Sequence, residues 1–458
     1  QPKPPDGRPW SSGSVAWAAA ADRARRSLAA IAGWRWPPSH VVGAAAGGQR
    51  GAGAAASGVA GGRGLPWELR IWAYGTHCSV MAEPFSVLSK FSPSDFSLEV
   101  AWRGGKDYCS FHAGQWHGPE EDRGSMVGEV THMFLHKLDS HEEVLRDPAL
   151  FAKAFRAAMS KDEAFLKSNI AFCSEPAFAC GVLHETGKPL LGYFGVHVGF
   201  LLGSQEDQLA FYRLLRDRLA ADPRSSFATK APYISLQVYY HTSVQMPAIR
   251  PASLYTLPAT YTAERPEDVL VNRRPGINGG WFWDVVYILQ SFARAFGHPY
   301  RFVSIGDLDR RSWEDLAAFR AAVYYPYAWL QTMMLYDWAN MAIPTFVPDS
   351  PLYTYSQGTN HRTAWAATLQ PVPEEEYPHH YADWDDMPGR MYWWLLTDFR
   401  ALPGVTAFGS LGELLGLLGS EAHLREANKR LREGRLERMA ASATFWREAA
   451  LRAVGACV

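Results

Sequence analysis

Ala321-Ala-Val-Tyr-Tyr-Pro-Tyr327 leads through Trp329–Met341 into Ala342-Ile-Pro-Thr-Phe-Val-Pro348. Ala321–Tyr325 is apolar and aromatic and is closed by Pro326, which reads as a short buried strand. Trp329–Met341 contains neither proline nor glycine and reads as a helix, and Pro344–Val347 reads as a second strand. Strand, helix and strand in one short run form a crossover unit, which joins parallel neighbours in a sheet.

The same rhythm extends outward in both directions. Upstream, the strand Asp268–Asn272 runs into Arg273-Arg274-Pro275-Gly276-Ile277-Asn278-Gly279-Gly280. A helix over Trp281–Phe296 follows, with Phe282, Val285, Val286, Leu289 and Phe292 on one face, and then a strand over Tyr300–Ile305. Ser312 with Asp315 has the spacing of a helix N-cap. Downstream lie a Tyr/Trp/His-rich segment from Asp349 to Arg390 and helices over Met391–Phe399 and Ser420–Val454. In the first half, strands are expected at Leu69–Tyr74, Phe96–Trp102, Asn169–Cys173, Pro189–Phe194 and Tyr233–Tyr240. Helices are expected at Val80–Lys90, Met126–His136, Asp147–Ser160, Phe178–Glu185 and Gln205–Asp222. The expected fold is therefore α/β, two Rossmann-like domains facing across a cleft, with a C-terminal helix packing back across both. Their bounds read as 65–265 and 266–420, with 421–458 as the C-terminal helical segment.

Residues 1–64 differ from the rest. They hold Lys3 and seven arginines against Asp6 and Asp22, and 43–64 is almost entirely Gly, Ala, Ser and Arg. Such a segment cannot bury enough apolar surface to order itself and reads as a disordered, low-complexity leader. Its composition also fits an organellar or secretory targeting remnant. The whole chain has 458 residues and a net charge of −1, which excludes a nucleic-acid binder that relies on bulk charge. No apolar run reaches eighteen residues, so no transmembrane segment is expected. Cys78, Cys109, Cys173, Cys180 and Cys457 are too scattered for a disulfide framework, and the spacing of Cys173 and Cys180 fits no common zinc site. Aromatic residues make up 13% of the chain, as in many carbohydrate-handling proteins and many large cores.

Several groups could carry chemistry. The Gly276–Gly280 turn lies between a strand and a helix, where backbone N–H groups of Asn278, Gly279 and Gly280 can meet an anion. Arg273 and Arg274 would add charge against a diphosphate. His77 follows the first strand, a place for a general base, with Glu83 or Asp107 as its carboxylate partner. His241 is the alternative base. His132 and His136 have metal spacing, but Met133 stands where a zincin has glutamate. His379, His380, Asp383, Asp385 and Asp386 adjoin the acidic run Glu374–Glu376 and read as a solvated loop, so no metal site is expected. The G-x-S-x-G, Walker and G-x-G-x-x-G patterns are absent at the places they would need.

Asp337-Trp-Ala-Asn-Met-Ala-Ile-Pro344 resembles the E-A-M-A-x-G-x-P helix of the donor half of GT-B glycosyltransferases, with Asp for Glu and Ala342 for Gly. The resemblance implies that Asp337 reaches the ribose of a nucleotide sugar, while Tyr327, Gln331 and Thr332 lie toward its diphosphate. Over about 165–418 the chain is also similar to uncharacterised eukaryotic GT-B-like proteins. That likeness rests on Cys173, Pro176 and Cys180, on Pro326-Tyr327, and on Tyr392-Trp-Trp-Leu395, Asp398-Phe399, Pro403, Phe408-x-Ser410 and Glu413-Leu414. It implies sugar transfer from a nucleotide-sugar substrate to a hydroxyl of a glycan, protein or small molecule, with no tightly bound cofactor and no strict need for metal. Two alternatives stand beside it: an inactive GT-B-like module that binds carbohydrate or protein, and another two-Rossmann enzyme such as a sugar-nucleotide epimerase.

Overall fold

A computed structural model describes residues 67–75, 78–91, 95–103, 141–202, 204–272, 281–309, 312–326, 333–349, 367–369 and 394–455. The first half begins with β1 (Trp67–Tyr74), α1 (Cys78–Phe91), β2 (Phe96–Arg103), α2 (His141–Arg146), α3 (Pro148–Ala158) and α4 (Glu163–Lys167). It continues with β3 (Ile170–Cys173), α5 (Ala179–His184), β4 (Leu190–Phe194), α6 (Gln205–Leu214), β5 (Ser226–Thr229) and α7 (Pro232–Thr242). The second half contains β6 (Arg265–Val271), α8 (Trp281–Ala295), β7 (Arg301–Ser304), α9 (Trp313–Ala317), β8 (Phe319–Val323) and α10 (Met333–Asn340). It ends with β9 (Thr345–Pro348), α11 (Asp398–Ala401), β10 (Val405–Phe408), α12 (Leu411–Gly419) and α13 (Glu421–Ala453).

Ten strands form two five-stranded sheets, in the orders β2-β1-β3-β4-β5 and β7-β6-β8-β9-β10, and all their pairings are parallel. Both are doubly wound sheets with the same 2-1-3-4-5 order, so each has a switch point at its carboxyl edge, β1/β3 in one and β6/β8 in the other. Each half is thus a Rossmann-like domain. Helices cover both faces, and β3, β4, β5 and β9 are buried throughout.

One hydrophobic core spans the two halves. It joins Ile71, Phe172 and Tyr193 of the first sheet to Ala322, Tyr324 and Val347 on the second. Helix α13 runs along this core. Its buried residues Leu424, Ala427, Leu431, Gly434, Arg438, Ser442, Trp446 and Ala450 recur every three or four positions, one stripe of a helix. The first part of the helix meets the second domain, where Asn428 Nδ2 donates to the Ala342 carbonyl and Arg435 to that of Asn340. Its end meets the first domain. The Trp446 ring packs 5.4 Å from Tyr193 and 6.3 Å from Phe172, and Arg452 donates to Ser226. The expected helix packing back across both halves is therefore observed.

Tyr233–Tyr240, expected to be a strand, lies inside α7 instead. Pro232 occupies the first turn, where its fixed φ and missing N–H suit a helix start, and nearly every residue of the helix is buried. A helix buried all round has no apolar stripe to reveal its period. The strand of this region is β5, only four residues long and half Ser/Thr. Thr397 also breaks the expected Met391–Phe399 helix before α11. The expected Met126–His136 helix lies outside the described residues.

Trp446 is fully buried where α13 packs on the first domain. Trp446→Ala is expected to lower unfolding stability by about 3–5 kcal/mol, the usual range for emptying a buried indole site. Denaturant titration of the full chain measures this, and a loss of under about 1 kcal/mol would mean that α13 does not hold the core together.

Candidate active site at the sheet edges

The register staggers the carboxyl ends of the first sheet: β1 and β3 end together, and β4 and β5 run two residues further. Tyr74 pairs with Cys173, Cys173 with Gly192, and Phe194 with Thr229. The residues just past those ends are Gly75, Ser174, Gly195 and Lys230, all buried. Ser174 N–H donates to the Tyr74 carbonyl and Lys230 N–H to that of Phe194, so both loops leave the sheet in fixed directions. A disulfide joins Cys173, the last residue of β3, to Cys180 in α5 and brackets the Ser174-Glu175 loop. Burial pushes the Lys230 ammonium down to about 8, while the charges of Glu175 and of Asp398, a residue of the second half, push it back up.

The second sheet's switch point is tied by a residue that the sequence reading passed over. Asn272 follows β6 and crosses to the end of β8, donating to the Tyr325 carbonyl and accepting from the Tyr325 N–H at 2.9 and 2.7 Å. These reciprocal bonds hold the starting points of two segments side by side. The segments carry Arg273, Arg274, Asn278, Gly279 and Gly280 on one side and Tyr327, Gln331 and Thr332 on the other. All eight residues lie outside the described residues, as do His77, Asp107, His132, His136, His379, His380, Asp383, Asp385 and Asp386. The sequence signal for Asn272 was available: a buried Asn at a strand end is a common way of pairing backbone groups that a sheet leaves over.

Polar groups line the boundary between the halves. Arg250 forms a forked ion pair with Asp398, 2.9 Å from Nε and 2.7 Å from Nη2 to Oδ1, and the Tyr336 hydroxyl donates to Asp398 Oδ2. Asn340 donates to the Pro251 carbonyl and accepts from Arg438. Glu83, expected as a partner for His77, is spent otherwise. It is fully buried and accepts from the N–H groups of Ala252 and Ser253 and from the Ser442 hydroxyl. Burial raises its pKa and the Ala252, Ser442 and Ser253 bonds pull it back. Its oxygens are held by the linker, residues 243–264 between α7 and β6, and by α13, which makes it a clamp rather than the partner of a base.

Asp337 lies on α10, as its spacing predicts, but is 1% exposed and accepts from the Tyr255 hydroxyl at 2.7 Å. Burial pushes its carboxyl up to about 7, with the Tyr255 bond pulling down and the Glu83 charge pushing up. The helix ends in a Schellman turn: Ile343 N–H reaches Trp338 O and Ala342 N–H reaches Ala339 O, with Ala342 at φ 61°.

His241, the alternative base, is also interior. Its ring is 4.9 Å from that of His197, its Nδ1 is 2.8 Å from the Ala367 carbonyl, and its own carbonyl accepts from Leu369. Burial, and then the adjacent His241, hold His197 well below the usual histidine range, so it is neutral. Residues 367–369 of the second half thus dock on the first. Among the described residues no three His, Cys, Asp or Glu side chains converge as metal ligands, and no helix is long and apolar enough to cross a membrane.

The class that this topology defines is a GT-B-like protein: two parallel Rossmann-like sheets, a linker, and a C-terminal helix returning across both. Solved structures similar to the chain include a kitacinnamycin glycotransferase, 11% identical over 84% of this chain and 98% of that one, with a TM-score of 0.39. Another is the glycosyltransferase SnogD from Streptomyces nogalater, 14% identical over 83% and 98%, with a TM-score of 0.39. A third is the spinosyn rhamnosyltransferase SpnG complexed with thymidine diphosphate, 12% identical over 81% and 98%, with a TM-score of 0.39. No protein-family model and no curated protein matches the sequence.

The Asp337 carboxyl has a consequence for pH dependence. In the folded chain it keeps its proton up to about pH 7, against an ordinary value of 3.8 when unfolded. The folded state therefore holds the extra proton between those values, so this group's stabilisation is complete below about pH 4 and lost as the pH rises to about 7. Asp337→Asn is expected to flatten that part of the profile. Denaturation midpoints at a series of pH values measure it, and parallel wild-type and variant profiles would contradict the buried, protonated carboxyl.

Proposed function

We propose that the chain is a glycosyltransferase that moves a sugar from a nucleotide-sugar donor to an acceptor hydroxyl. The observation that carries this reading is the pair of doubly wound sheets held together by a shared core, with Lys230 at one carboxyl edge within the field of Asp398 from the other half. Two switch points in one body suit a reaction that holds two substrates against each other.

In this reading the segments that start beside Asn272 and Tyr325 grip the donor. Arg273, Arg274 and the backbone of Asn278, Gly279 and Gly280 take the diphosphate, and Tyr327, Gln331 and Thr332 complete the grip. Their N–H groups and cationic charge stabilise the departing diphosphate without requiring a metal. His77 takes the acceptor proton. Asp337 could join only by exchanging the Tyr255 hydroxyl for a ribose hydroxyl, so we assign it to the interior. That burial is also what favours the second reading, a non-catalytic module that binds carbohydrate or protein. The Cys173–Cys180 bridge supports an oxidising compartment such as the secretory pathway.

A panel of sugar nucleotides tests the proposal on the full chain. At least one is expected to raise the melting temperature and to be hydrolysed slowly in the absence of acceptor. His77→Ala should keep the thermal shift and lower turnover about 10²–10⁴-fold. A shift without hydrolysis would favour the binding module, and no shift with any donor would end the transferase reading.

A further inference from the structure

The outer face of α8 is apolar where the outer face of a surface helix is ordinarily polar. Tyr287 is 72% exposed, Ile288 is 48% exposed, and Phe296 in the turn after the helix is 65% exposed. The inner face is used by the fold. Leu289 and Ala293 are buried and join Val269 and Val271 of β6 in a core of their own. Leu270, between those two valines, points to the core that the halves share. Helix α8 therefore lies on the side of the second sheet away from the first domain. Its exposed apolar residues serve neither its own core nor the docking of the two halves, and such a patch marks an interaction surface.

The helical period arranges this surface in two rows. Tyr287, Ser291 and Ala295 form one, and Ile288, Phe292 and Phe296 form the next. Ser291 is partly exposed, and Arg294 and Ala295 are exposed. The end of the second row is held in place: Phe296 N–H donates to the Phe292 carbonyl, and the two rings lie 4.5 Å apart. Gly297 then closes the helix at φ 69°, and a Cβ there would meet open space. Arg294 stands on the Tyr287 flank of the face, and among the described residues its guanidinium makes no ion pair.

The order of sizes along this face selects its occupant. The large side chains Tyr287 and Ile288 come first, the small Ser291 next, and Ala295 last. Two copies of the face brought together antiparallel, about a two-fold axis at Ser291, set positions equally far from Ser291 on one flank against each other. Ile288 then meets the partner's Ala295, large against small. Tyr287 meets the partner's Arg294, so a guanidinium unpaired in its own chain gains an aromatic face. The small Ser291 at the crossing lets the two backbones approach. A parallel pair would instead crowd the large residues at one end and leave a gap between the small ones at the other.

We propose that the outer face of α8 is the interface of a homodimer in which two copies pack antiparallel across Ser291. The proposal is independent of the transferase reading, because none of these residues belongs to the site assigned there. One helix pair is small beside the roughly 1,200 Å² or more that stable interfaces bury, so the dimer is expected to be weak and to depend on concentration.

Sedimentation velocity of the full chain from about 1 to about 100 µM tests the association, and the sedimentation coefficient is expected to rise from monomer toward dimer. Ile288→Asp places a charge where the partner's Ala295 would cover it and should weaken the dimer at least about tenfold. The position is exposed in the single chain, so circular dichroism should be unchanged. Ser291→Cys tests the register and stands even if Ile288→Asp does not fold. Its introduced thiols face each other at the two-fold axis, so a mild oxidant should join two copies on a non-reducing gel. Leu436→Cys, at an exposed position of α13, and the wild-type chain under the same oxidant are the controls. A chain still monomeric at about 100 µM, a dimer indifferent to Ile288→Asp, or cross-linking of Ser291→Cys no greater than in the controls would each overturn the proposal. So would a monomer that pellets with vesicles of phosphatidylcholine and phosphatidylserine and loses this with Ile288→Asp, which would give the face to a membrane.

Discussion

The Glu83 carboxylate is the point on which the two halves are pinned. It leaves α1 of the first domain, is fully buried, and accepts from two linker N–H groups and from Ser442 on α13. An unpaired carboxylate in that position would be strongly unfavourable, and three short bonds offset its desolvation. The bonds have direction. An apolar core alone would let two sheets slide past each other, since burial of area does not depend on angle. Glu83 permits only the arrangement in which linker and helix arrive together.

The other buried polar contacts extend that constraint along α13. Arg438 meets Asn340, and Asn340 meets the Pro251 carbonyl, so one helix fixes both α10 and the linker. Asp398 takes the Arg250 fork and the Tyr336 hydroxyl, tying the far side of the second half to the same linker. Breaking one member would strand its partner, which is why such networks specify a single docking more than they add stability. A fixed docking matters at the edges, because Lys230 in one half is within the field of Asp398 in the other. The geometry of any site there depends on relations set by groups outside it.

Much of this fold was legible in the sequence because its elements are strongly patterned. The α8 stripe and the buried runs of β1, β6 and β8 identify themselves by period and composition, and their alternation gives the parallel sheets. α7 was misread because burial on every side erases the period, and β5 was missed because Ser226 and Thr229 do not look like a core strand. The site was less legible. Lys230 lies far along the chain from Gly195, and only the pairing of β4 with β5 brings them together. Asp337 was placed on its helix by spacing, but no spacing could reveal the Tyr255 hydroxyl that the fold brings to it.

The alanine at position 342 joins the two levels. Sequence marks it as a departure, an Ala where the similar helix has Gly, and the structure shows what the position demands: φ 61°, the left-handed region that glycine enters without a Cβ clash. For alanine this costs about 1–2 kcal/mol. The cost is offset locally by two Schellman bonds and by burial of the methyl group, and at longer range by Asn428, which donates from α13 to the Ala342 carbonyl at 2.6 Å. A strained residue persists only where its surroundings over-determine it. Here they do so at the junction where α10 must stop, β9 must start and the C-terminal helix must dock. The same turn therefore ends a helix and anchors one half of the chain to the helix that holds the other.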